Sequence, residues 1–76
     1  MKDNATKIIN NNINILNNIS IVDNHNELWE LNQLKEKCKI LLTFLDQEVD
    51  IDMQKFYDIL QITQSQVDYF SEKFAL

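Results

Sequence analysis

A chain of 76 residues that contains neither Gly nor Pro has few ways to turn sharply. Two-residue hairpins need positive φ, which Gly supplies at the least cost. Phosphate-cradling loops need Gly for close backbone approach. Both are excluded, and no Pro interrupts a helix from within. Hydrophobic residues make up 45% of the chain and charged residues 25%, enough apolar side chains for a core. The expectation is an all-α fold, a small bundle of three to four helices in one domain over residues 1–76.

Apolar spacing places the helices. Over about residues 4–20, Ile8, Ile9, Ile13, Ile15, Leu16 and Ile19 share one half of a helical wheel, and Asn10, Asn11, Asn14, Asn17 and Asn18 the other. Asn is a weak helix former, so this helix depends on packing. Asn12 falls inside the apolar half, either as a tolerated boundary residue or as a buried polar group that fixes register. The turn-favouring run Asp23, Asn24, His25, Asn26 follows, and Asn24 with Glu27 has the form of a capping box.

A second helix is expected over 26–47. Leu31, Leu34, Cys38, Leu41, Leu42 and Leu45 form one stripe, and Trp29, Ile40 and Phe44 a second on a different side. Two stripes mean two contacts: the helix is central and touches neighbours on both sides, or it turns one stripe to a partner. Asp46 to Asp52 reads as an acidic loop whose last residues cap a third helix over 52–61, with Met53, Phe56, Ile59 and Leu60 inward. Thr63 and Gln66 repeat the capping-box spacing and predict a fourth helix over 64–74, with Val67, Phe70 and Phe74 on one face. There is no internal repeat and no interdomain linker.

Charge narrows the function classes. Seven Lys and no Arg face twelve Asp and Glu, a net charge of −5. Proteins that live on nucleic acid neutralise phosphates and use the bidentate fork of Arg, so nucleic acid and anionic membranes are disfavoured partners. A basic protein partner is favoured. No strictly apolar run exceeds three residues, so no membrane span is expected, and no secretory leader pattern is visible. Cys38 is the only cysteine, which points to a reducing, cytoplasmic setting.

No catalytic or metal set emerges. His25 and Cys38 are thirteen residues apart, too far along a helix for a hydrogen-bonded pair. His25 reads as an exposed turn residue and Cys38 as a small buried hydrophobe. One Cys and one His cannot build a structural zinc site. Asp46, Glu48, Asp50 and Asp52 alternate like calcium ligands, but the loop lacks the Gly and the closing Glu that a calcium loop needs. The chain is therefore expected not to be an enzyme and to use no cofactor.

The run from Phe56 to Val67 carries one further signal. Leu60, Ile62, Thr63, Gln64, Gln66 and Val67 stand where an apolar helix would end, turn and restart through a Ser or Thr cap and Gln-x-Gln-Val. In this it resembles the helix-turn-helix of sigma-factor region four and related regulators, over residues 52–74. The resemblance implies a helical tail with that turn and DNA contacts from Gln64, Gln66 and Tyr69. Where the family pattern has a turn Gly, a small residue and a basic recognition helix, this chain has Gln61, Tyr57 and the acids Asp68 and Glu72, with Lys73 the one cation.

Small size, acidity and the second stripe together give the primary expectation. It is a protein–protein interaction module acting as a regulator, inhibitor, adaptor or chaperone-like subunit. It would work as a homodimer or heterocomplex, with a partner that is basic or presents an apolar groove. The residues expected to carry this are Trp29, Ile40, Phe44, Asp68, Tyr69 and Glu72.

Overall fold

The computed structural model describes residues 2–74. It contains three helices: α1 (Lys2–Asn17), α2 (His25–Gln47) and α3 (Met53–Phe74). No strand occurs among the described residues. The expected all-α bundle is therefore found, with three helices rather than four.

The three helices share one rule of construction. Ala5, Ile9, Asn12 and Leu16 are the buried residues of α1; Leu31, Leu34, Cys38 and Leu45 those of α2; Phe56, Leu60, Thr63, Val67 and Phe70 those of α3. Spacings of three and four keep each set on one side of its helix. The stripes meet in a single core to which Ile19 and Ile21, from the α1–α2 connection, also belong. The Cα envelope measures 42 × 17 × 17 Å, an elongated bundle.

The ends follow local chemistry. α1 stops at Asn17 rather than running to residue 20. Its last turn tightens through bonds from Asn18 N to Ile15 O (3.1 Å) and Ile19 N to Leu16 O (3.2 Å). α2 begins as the capping chemistry predicts, the Asn24 side chain accepting from Glu27 N at 3.1 Å. Asp52 does the same for α3, accepting from Lys55 N at 3.2 Å.

The helices expected at 52–61 and 64–74 are one. Thr63 is fully buried in the middle of α3, and its hydroxyl donates back to Ile59 O at 2.8 Å. A cap needs a residue outside the helix with its side chain turned to orphan N–H groups. Here Thr63 continues the inner stripe between Leu60 and Val67, and the back-bond lets the hydroxyl be satisfied without leaving the helix. With no Gly or Pro at Gln61 or nearby, nothing stops propagation.

The arrangement also decides the role of α2. α1 packs extensively against both other helices, while α2 and α3 touch each other least. The helix with extensive packing on both sides is α1, and of the second stripe of α2 Trp29 and Ile40 remain uncovered while Phe44 meets Phe56. Asn12 is buried, with both its side-chain Nδ2 and Oδ1 lacking a protein partner.

Candidate functional site

Eight large apolar residues are exposed among those described, and their placement is uneven. Trp29, Ile40 and Phe44 are on α2; Ile59, Ile62 and Tyr69 are on α3; Val22 and Val49 are in connections; none is on α1. Singly exposed apolar residues are ordinary, but a patch of them marks a contact surface.

Part of this patch is a groove of about 730 Å³ between α2 and α3. Leu34 and Phe70, both nearly buried, form its base, and Trp29, Ile62 and Tyr69, between 48% and 64% exposed, rise around it. Glu30, Gln33, Lys37, Ser65 and Gln66 complete the lining. The Tyr69 ring meets Phe70 edge-on, with centroids 5.4 Å apart, which ties the exposed ring to the core.

A polar cluster lies beside Tyr69. Lys73 Nζ donates to Glu27 Oε1 (3.0 Å) and to the Tyr69 hydroxyl (2.9 Å), and that hydroxyl donates to the same Glu27 oxygen (3.4 Å). The two hydrogen bonds, to Tyr69 first and Glu27 second, push the Lys73 amine above its ordinary pKa, so it is held as a cation. The Glu27 carboxylate thus bridges the start of α2 to the end of α3. Its other oxygen, Oε2, is buried without a partner. Further along the groove Lys37 Nζ donates to Gln66 Oε1 at 3.4 Å.

A shallower depression of about 330 Å³ lies on α2 around Glu36, Lys39, Ile40, Thr43 and Phe44. The Phe44 ring stacks on Phe56 with centroids 6.1 Å apart.

The structure brings together only part of the expected partner-binding set. Trp29 and Tyr69 line the same groove, while Ile40 and Phe44 line the second depression. Asp68 and Glu72 are exposed on α3 but line neither, and Asp68 accepts from Gln64 Nε2 at 3.0 Å. Of the residues named for DNA contact, Gln66 and Tyr69 border the groove and Gln64 is half-buried. Two positions apart on one continuous helix, Gln64 and Gln66 point to different sides.

Ile62 is the functional candidate that the sequence reading passed over. Read as part of a turn, it had no face; within one helix, Ile59, Ile62 and Tyr69 form an outer stripe at spacings of three and seven. Cys38 is buried, and burial pushes its thiol above the ordinary 9.0, against the opposing pull of the Lys37 charge. Among the described residues no cluster of His, Cys, Asp or Glu could hold a metal ion, and no helix is long and apolar enough to cross a membrane. No protein-family model, curated protein or solved structure matches the chain.

Proposed function

We propose that this chain is a helical protein–protein interaction module that binds through the outer face of α2 and α3. The observation that carries the reading is the segregation of exposed apolar residues: six on α2 and α3, three of them around one groove, and none on α1. Trp29 and Tyr69 are of the type that anchors interfaces, large and amphipathic. Regulator, inhibitor, adaptor and chaperone-like subunit all remain roles that such a face could serve, as a homodimer or in a heterocomplex.

The test compares the wild-type chain with Trp29→Ala, Ile62→Asp and Ile40→Asp in capture of proteins from the source cells and in sedimentation. Association lost in these variants, with helicity by circular dichroism retained, supports the reading. A wild-type chain that sediments as a monomer at high concentration and captures nothing overturns it. DNA retardation in low salt that is lost in Gln66→Ala would transfer the function to the helix-turn-helix alternative.

A further inference from the structure

The groove described above runs along about two turns of α2 and of α3, and its chemistry selects what kind of segment fits it. Resting on the docking reading, we propose that the α2/α3 groove receives an amphipathic helix from a basic partner, with a Lys or Arg of that helix at the Trp29–Glu30 corner.

The shape argues for a helix. α1 covers one side of the α2/α3 pair. On the other side, two helices of 23 and 22 residues leave between them a groove with an apolar base. A helix entering a groove of this kind presents apolar residues at i, i+3, i+4 and i+7, here over Leu34, Phe70 and Ile62.

The charge argues for a basic helix. The chain carries −5 overall, yet Lys73–Glu27 is the one ion pair among the described residues. The groove lining carries one cation and one carboxylate: Lys37, about two turns along α2, is engaged by Gln66, whereas Glu30 beside Trp29 has no salt-bridge partner among the described residues. Trp29 offers the best of the aromatic faces for a cation, and no described cation stands over it, whereas Tyr69 already has Lys73 at 5.3 Å from its ring centre. A second copy of this chain would instead bring together two molecules that each carry a net charge of −5.

Trp29 is the only tryptophan, so its emission reports on the corner directly. The probes are two helical peptides of about 18 residues, roughly 27 Å long. They share one Leu face, and the remaining positions are Lys in one and Glu in the other. The expected result is a blue shift of Trp29 emission with the Lys peptide only, weakening as salt rises. Glu30→Lys should weaken this binding about tenfold or more, and Asp50→Lys, the same charge change in the α2–α3 connection, by less than about twofold.

Equal binding of both peptides overturns the basic-partner inference while leaving a docking face in place. Equal loss in Glu30→Lys and Asp50→Lys also overturns it, placing the cation at the acidic connection or nowhere in particular. A blue shift that grows with protein concentration alone, together with a sedimenting dimer, assigns the groove to a second copy. Binding of neither peptide overturns this inference, and the capture experiment with Ile62→Asp then judges the docking reading separately.

Discussion

The two sides of the α2/α3 pair are built from similar residues and treated in opposite ways. In the core shared with α1, Leu31, Leu45, Phe56, Leu60 and Val67 are no more than 3% exposed. Facing away, Trp29, Ile40 and Ile62 are at least 60% exposed. Apolar character alone does not separate the two sets. What separates them is whether a third stripe exists to meet them: α1 supplies one on the inner side, and nothing in the described chain supplies one on the outer. Burying a side chain of this size is worth about 1.5–3 kcal/mol. The inner side has gained that in folding, and the outer side has not.

Substitutions should divide along this line. Leu16→Ala, in the α1 stripe that covers the inner side, is expected to cost about 2–5 kcal/mol. That is most of the stability of a domain this small, read by urea unfolding with circular dichroism. Ile62→Asp, though the harsher change chemically, is expected to shift the same transition by no more than about 0.5 kcal/mol. A large loss at Ile62 in a monomeric sample would break the contrast.

Asn12→Leu sharpens it from the other direction. A buried amide with no partner costs about 1–3 kcal/mol, so an apolar replacement of similar size should raise the melting temperature by several degrees. No gain would mean that the amide is satisfied in solution, most simply by an ordered water.

Smaller effects belong to the helix ends. Asn24→Ala should cost about 1 kcal/mol as a lost cap. Thr63→Val should change stability by less than about 0.5 kcal/mol. Ile59 O keeps its helical partner, the Thr63 N–H, when the hydroxyl is removed. Equal losses at the two sites would restore Thr63 as a cap. The smallest effect is a pH dependence: the folded Cys38 thiol ionises later than the unfolded one. The unfolded chain therefore holds fewer protons as pH rises past 9.0, and stability should decline there, a decline that Cys38→Ser removes.

Much of this architecture is legible in the sequence because stripe and cap are local. Asn24 caps where its spacing places it, and of the two acids that could cap α3, Asp50 and Asp52, the second does so. Of the inner stripe read for α2, Leu31, Leu34, Cys38 and Leu45 are buried and Leu41 and Leu42 partly so, and Trp29 and Ile40 are outside it. What misleads is Thr63. A hydroxyl three residues before Gln66 satisfies the pattern of a cap, but the same hydroxyl fits a helix interior by bonding backward to Ile59, and the pattern does not distinguish the two. The continuous 4-3-4-3 spacing from Phe56 to Phe70 does distinguish them, once Thr63 is counted as a member. The groove is legible only in part. Trp29 and Tyr69 stand out by type, but that they line one groove depends on how α2 and α3 pack, which brings together residues forty apart in the chain.

Cys38 gives the molecule a built-in clock. A thiol reagent needs the thiolate and a path to it, and in the closed bundle this sulfur has neither, being 1% exposed with its ionisation delayed. Modification must wait for the bundle to open, so its rate measures how often α2 swings free of the core. Any occupant of the outer face that holds the native state lowers the frequency of opening in proportion to its saturation. The inner side thus keeps time for the outer one: occupancy of a surface that Cys38 does not line becomes readable as a slowed reaction at a buried sulfur, with no label on either partner.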